Sequence, residues 1–281
     1  MKNLYLTLIC CIAVFAGASA QNITWGTEQK NTSEKELHAI LGYDDKGYYV
    51  TRYENPHPNI VNATYAFLVT LEKYDYSGNT LFSKDFTVTE DGKKFNFDRI
   101  FYMKNNIVTT MYGPDVKTLY AMKVAPDGAI DDKNKVEIGK VENKWSKEIM
   151  PGTRYLFSLS QDKTMLVGYY RKNKEKTMTL VAIDDSPKLL WSKDITLPFD
   201  GEFNIVGHKT AGNMVYFLID EKKQNKDNYG RWLLAYDITT GKFQKTDLDI
   251  SLGTNMYIED TEWQIDNTTN DFVLAGLYST D

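Results

Sequence analysis

The sequence predicts an all-β fold, a β-propeller built from four-stranded antiparallel blades, with four units and part of a fifth. Three observations carry this. Short β-rich runs alternate with turn residues; the order of runs and turns recurs about every 50 to 60 residues; and two units share nearly one string, LFSKDF at residues 81–86 and LWSKDI at 190–195. A lone sheet of such strands has two apolar faces and cannot bury both, so neighbouring units must stack face to face, and twisted sheets stacked around an axis make a propeller. A pair of tandem β-sandwiches is the alternative, since it also uses short strands and frequent turns.

Residues 154–198 are the cleanest unit. They divide into runs 154–159, 164–170, 177–183 and 188–196, separated by Ser-Gln-Asp-Lys, a Lys-rich hexapeptide and Asp-Asp-Ser-Pro. The second run is apolar on both faces, as a strand between two sheets should be. The fourth alternates, with Leu189, Trp191 and Ile195 on one side and Leu190, Ser192, Asp194 and Thr196 on the other, which marks a half-exposed outer strand. The shared Ser-Lys-Asp places Phe82 and Trp191 at equivalent, inward and largely buried positions.

Second runs recur at 47–53, 106–112, 164–170, 213–219 and 271–277, and third runs at 66–71, 118–124, 177–183 and 231–236. After the third runs come Asp75-Tyr-Ser-Gly78, Ala125-Pro-Asp-Gly128, Asp184-Asp-Ser-Pro187 and Asp237-Ile-Thr-Thr-Gly241. These are turn sequences in which Gly supplies a positive φ and Pro a preset one. The units are 33–89, 90–141, 142–198 and 199–250, with a fifth from residue 251. That unit stops where the others turn from second to third run, so the expectation is a longer protein, or a ring left open at a seam between first and last units.

At the N-terminus, Lys2 precedes an apolar run from Leu4 to Phe15 and then Ala18-Ser19-Ala20, the pattern of a cleaved export signal over residues 1–20. No later stretch approaches the ~20 apolar residues of a membrane span. The propeller domain then occupies 21–281 and is exported, whether periplasmic, on the cell surface or extracellular. Both cysteines, Cys10 and Cys11, lie in the leader, so the mature chain has no thiol for disulfides or catalysis. It retains 32 basic against 38 acidic side chains, a mildly acidic balance that argues against nucleic acid as a partner. Glycosylation sequons at Asn22, Asn31, Asn62 and Asn267 matter only in a eukaryotic secretory pathway.

Chemistry-bearing motifs are sparse. His38, His57 and His208 have no metal-ligand spacing and read as surface or turn residues. No nucleophile elbow, phosphate loop or dinucleotide fingerprint occurs. Three acidic groups have the residue types for acid–base or calcium chemistry. Asp44-Asp45-Lys46-Gly47 reads as a hairpin turn. Asp127, Asp131, Asp132, Asn134 and Glu137 offer oxygen ligands without the order of a calcium loop. Glu259, Asp260 and Glu262 beside Trp263 could set carboxylates against an aromatic sugar platform near the axis, with strand-edge solubility as the plainer role. No catalytic, cofactor-binding or metal residue is assigned, and no cofactor.

At residues 155–167, YLFSLSQDKTMLV resembles the TolB-type propeller repeat through Phe157, Ser160, Asp162 and Leu166, although Gln161-Asp162-Lys163 replaces the family's usual Pro-Asp-Gly. The mature chain as a whole resembles secreted propeller-like proteins of Gram-negative bacteria. That resemblance implies a fold and brings no catalytic residue with it. The expected function is a non-catalytic binding or scaffold propeller that recognises a protein or glycan; the alternative is a propeller enzyme acting on extracellular carbohydrate. Mass spectrometry of the native protein should find Gln21 at the mature N-terminus. An intact Met1, or a lipid on Cys10 or Cys11, would refute the leader assignment.

Overall fold

The computed structural model describes residues 35–54, 69–104, 106–142, 154–172, 175–222, 229–248, 256–266, 269 and 271–280. The leader, all four sequons and His57 lie outside them. The described residues form a β-propeller array of antiparallel blades without a helix. Blade 1 holds β1 (Lys35–Asp44), β2 (Gly47–Glu54), β3 (Val69–Tyr74) and β4 (Thr80–Asp85). Blade 2 holds β7 (Asn96–Tyr102), β8 (Ile107–Tyr112), β9 (Thr118–Val124) and β10 (Val136–Lys140), reached through a small ribbon of β5 (Thr89–Glu90) and β6 (Lys93–Lys94). Blade 3 holds β11 (Leu156–Leu159), β12 (Met165–Arg171), β13 (Thr177–Asp184) and β14 (Leu189–Thr196). Blade 4 holds β15 (Phe203–Ala211), β16 (Met214–Lys222), β17 (Tyr229–Asp237) and β18 (Phe243–Asp247). β19 (Met256–Ile265) and β20 (Phe272–Thr280) pair as a two-stranded fifth element. In every four-stranded blade the strands pair in chain order, a simple meander, which sets the tandem sandwich alternative aside.

Period-two alternation explains how the blades stack. On β12, Leu166 enters the apolar layer shared with blade 2, and its neighbour Val167 enters the layer shared with blade 4. β13 repeats the division: Leu180 and Ala182 face blade 4, Val181 and Ile183 face blade 2. On β16, Val215, Phe217 and Ile219 face blade 3 while Tyr216 and Leu218 join Trp263 and Ile265 of β19. On β8, Ile107 and Met111 face blade 1 while Val108 and Tyr112 face blade 3. Each central strand thus serves two cores, and burial at roughly 25 cal/mol per Å² of apolar surface drives the stacking. Close approach needs small residues at set points: a Cβ on Gly139 of β10 would overlap the Tyr155 ring of blade 3, and one on Gly42 would overlap Tyr102 of blade 2.

The turns behave as their residues require. Asp75 Oδ1 accepts N–H bonds from Ser77 (2.9 Å) and Asn79 (2.8 Å), Asp184 Oδ1 from Ser186 and Lys188 (both 2.9 Å), and Asp237 Oδ1 from Thr239 (2.8 Å) and Thr240 (3.2 Å). Gly78, Gly128 and Gly241 close three of these turns at φ of 86°, 83° and 70°. The hairpin role of residues 44–47 also holds, with Lys46 N–H donating to Asp44 Oδ1 at 2.9 Å. Asp44 has a second task that its sequence context does not reveal: the buried Lys73 donates to its Oδ2 at 2.6 Å and to the Tyr49 hydroxyl at 2.9 Å.

The near-duplicate strings occupy the same register. Asp85, Lys84, Ser83 and Phe82 face Thr70, Leu71, Glu72 and Lys73; Asp194, Lys193, Ser192 and Trp191 face Thr179, Leu180, Val181 and Ala182. Both strands then bulge at the next residue, Leu81 or Leu190, and both aspartates accept a threonine hydroxyl at 2.7 Å, from Thr70 and from Thr179. The expected burial of the aromatic pair needs correction. Phe82 and Trp191 are half-buried, because the outermost strand lies where stacked blades diverge and a neighbour covers only one side of the ring. Phe217→Ala, in a fully enclosed layer, should cost ~3 to 5 kcal/mol, and Trp191→Ala about half as much. Urea melts of the two variants check this, and equal losses would show that the rim is as closed as the centre.

Candidate functional site

The first strands of the units, β1, β7, β11, β15 and β19, form the inner side of the array. Pairs among them touch directly, β1 with β7, β11 with β15 and β15 with β19. Four of the five are bulged, with extra, unpaired residues at His38 and Leu41 on β1, Asp98 on β7, Val206 on β15 and Glu259 on β19. The His38 bulge of blade 1 and the Asp98 bulge of blade 2 fall at the same repeat position, opposite Arg52/Thr51 and Met111/Thr110. A bulge bends its strand and re-aims one side chain, and bulges are enriched next to functional sites.

These two bulges open onto one cavity of about 500 Å³ between blades 1 and 2. His38 and Tyr53 stack at 4.1 Å between ring centroids, and Phe97 meets Tyr53 edge-on at 6.4 Å. Asp98, Arg99 and Phe101 complete the blade 2 wall, and Arg154, just ahead of β11, closes the side towards blade 3. The Asp98 side chain is only 1% exposed. Its Oδ2 accepts the Thr110 hydroxyl at 2.8 Å, while Arg154 Nη1 stands 3.9 Å from Oδ1, too far for a hydrogen bond. Burial therefore outweighs the Thr110 bond and the two arginine charges, and the carboxyl pKa is raised from 3.8 to about 6. The Arg99 backbone carbonyl accepts the Thr109 hydroxyl at 3.0 Å, but the guanidinium makes no hydrogen bond or ion pair of bonding length among the described residues. Its charge opposes the burial-driven rise of the Tyr53 phenol in blade 1 and adds to the lowering of His208 in blade 4, so the guanidinium acts across the inner side of the array.

Of the histidines, His38 lines this cavity and is exposed, as expected of a surface residue. His208 is the exception: it is buried, edge-on to Tyr169 at 5.0 Å, with Nε2 3.0 Å from the Val167 carbonyl. Burial, with the Arg99 and Lys209 charges added and the Val167 carbonyl opposing, lowers its pKa to about 4, so it is neutral and donates Nε2–H to that carbonyl. The acidic groups divide as well. Asp131 binds Asn134 and Glu137 pairs with Lys140 at 3.3 Å; no group of three or more potential metal ligands exists among the described residues. Trp263 is no exposed platform, since it is 8% exposed and packs over Phe272 beneath blade 4, with Glu262 turned to solvent. Glu259 does take a bulge on an inner strand; its side chain and that of Asp260 lie outside the description. Sequence reading missed Asp98, Arg99, Tyr53 and Arg154. The available signal was Asp98-Arg99 set as a charged pair inside the aromatic run FNFDRIFY.

No protein-family model matches the chain, and no curated protein matches it. Among solved structures, prolyl oligopeptidase B from Galerina marginata aligns at 11% identity and a TM-score of 0.41, over 88% of this chain and 31% of that one. Kuenenia stuttgartiensis hydrazine synthase aligns at 12% identity and a TM-score of 0.34, over 89% of this chain and 77% of that one. The chain thus spans less than a third of the peptidase, and neither likeness transfers a residue or an activity. No helix among the described residues is long and apolar enough to cross a membrane.

The two perturbed groups pull stability in opposite directions. Asp98 holds its proton more firmly folded than unfolded, so its contribution is present below about pH 4 and is lost as pH rises through about 6. His208 is the reverse, contributing above about pH 6.5 and losing that as pH falls through about 4. Relative to wild type, Asp98→Asn should make stability climb more steeply between about pH 4 and 6.5, and His208→Gln less steeply, each by ~2 to 3 kcal/mol. Urea unfolding at the two ends of that window measures it, and two wild-type slopes would mean neither group titrates as placed.

Proposed function

We propose that this chain is an exported, non-catalytic binding propeller, periplasmic, on the cell surface or extracellular, that holds a protein segment or glycan in the cavity between blades 1 and 2. The observation that carries the reading is the convergence there of two bulged strands, a stacked aromatic pair and an arginine whose guanidinium has no bonded partner among the described residues. A concave wall of aromatic and aliphatic side chains with a few placed polar groups is how small-ligand sites are built. Export is supported by the leader-like residues 1–20. The TolB-type reading of the blades is supported by the turn after β11, where Ser160 Oγ donates to Asp162 Oδ1 at 2.7 Å and accepts the Met165 N–H at 2.9 Å.

The carbohydrate-cleaving alternative needs two carboxylates facing one another across the scissile bond. Asp98 is the one carboxylate in the described lining, so binding is the reading the geometry favours. A glycan array and a pull-down with the mature protein, run beside Tyr53→Ala, should find a ligand whose retention falls about tenfold or more on loss of the ring. Retention unchanged by Tyr53→Ala would move the site elsewhere, and cleavage of the retained glycan would establish the enzyme.

A further inference from the structure

We propose that the cavity selects a sugar bearing a carboxylate, a hexuronic acid residue, with Arg99 as the partner of the sugar's carboxylate; this rests on the cavity being the binding site. The charge balance of the wall is the first argument. Two guanidiniums, Arg99 and Arg154, face it with the single carboxylate of Asp98, so the cavity favours an anion. Of the two cations, Arg154 stands 3.9 Å from Asp98, whereas the Arg99 guanidinium makes no hydrogen bond or close ion pair among the described residues. A planar guanidinium without a protein partner is suited to take a carboxylate in a two-pronged hydrogen bond.

Shape is the second argument. Beside Arg99 lies the stacked pair of His38 and Tyr53, in which Tyr53 backs the exposed His38 ring, and the C–H face of a pyranose can rest against that ring. A volume of about 500 Å³ is in the range that encloses a small ligand. Asp98 gives the third. It lies in the wall with its carboxyl enclosed, one oxygen held by Thr110 and the other without a donor in bonding range, so a ligand carboxylate beside Arg99 is tolerated when Asp98 is neutral and repelled when it is ionised. The charged or titratable groups around Asp98 are His38 of β1, Tyr53 of β2, Arg99 of its own strand, Tyr112 of β8 and Arg154 ahead of β11.

Calorimetric titration of the mature protein with galacturonate and glucuronate, against galactose, glucose and N-acetylalanine, tests the proposal. The uronates should bind about tenfold or more tightly than their parent hexoses, the scale of a charge-assisted hydrogen bond. They should also bind more tightly than N-acetylalanine, which has the carboxylate without the ring. Arg99→Met should remove the preference for uronate over hexose and Arg99→Lys should restore part of it. The preference should weaken as pH rises through about 6 in wild type and stay level in Asp98→Asn. Equal binding of uronate and hexose, or a preference that survives Arg99→Met, overturns carboxylate selection while leaving a neutral-glycan cavity standing. N-acetylalanine binding as tightly as the uronates overturns the sugar and points to a peptide carboxyl terminus. If no uronate binds but the array or pull-down yields a ligand lost in Tyr53→Ala, this inference fails and the broader function holds; if that ligand is also insensitive to Tyr53→Ala, both fail.

Discussion

The structure depends on central strands that are apolar on both faces. β8, β12 and β16 each send alternate side chains into two different cores, so no blade can satisfy its own strands and each must be sandwiched by neighbours. This requirement makes the array radial and orders the blades as they occur in the chain. It also explains the small residues at Gly42 and Gly139, where an aromatic ring of the next blade rests directly on the backbone. Outer strands escape the constraint because blades diverge with distance from the centre, which is why β4, β14 and β18 are largely exposed.

The inner strands solve the opposite problem. They are crowded, and straight ladders would direct every side chain into a neighbouring face. Bulges relieve this by inserting one unpaired residue and turning it out of the ladder. In blades 1 and 2 the inserted residues are His38 and Asp98, at one repeat position, and both reach the same cavity. The Asp98 carboxyl is enclosed while the bulged residue as a whole keeps some exposure, so the fold holds a carboxyl where its charge is disfavoured. Sites that hold ionisable groups away from their ordinary pKa are where chemistry or recognition concentrates. His208 resembles Asp98 in burial and in its perturbed pKa, but its one ring contact to a carbonyl and its aromatic neighbours make it a part of the core.

Much of the fold was legible in the sequence. Strand runs, their turns and the repeat follow from alternation and from Asp, Gly and Pro at fixed offsets, all local properties of a few consecutive residues. The shared Ser-Lys-Asp strings even announced a common register, down to the threonine bonded to each aspartate. What local pattern could not state is which side of a strand looks at a neighbour, at the centre or at water. Trp263 read as an aromatic platform beside carboxylates and His208 as a surface or turn residue, yet blade 4 covers the first and Tyr169 with Phe217 encloses the second. Asp98 and Arg99 read as two charges in an aromatic strand; only the bulge, which shifts the alternation by one residue, and Arg154, arriving from another blade, make them a site. Strand identity is written in neighbours along the chain, whereas burial, pKa and the cavity arise from contacts between blades some 50 residues apart, and those exist only once the stack has formed.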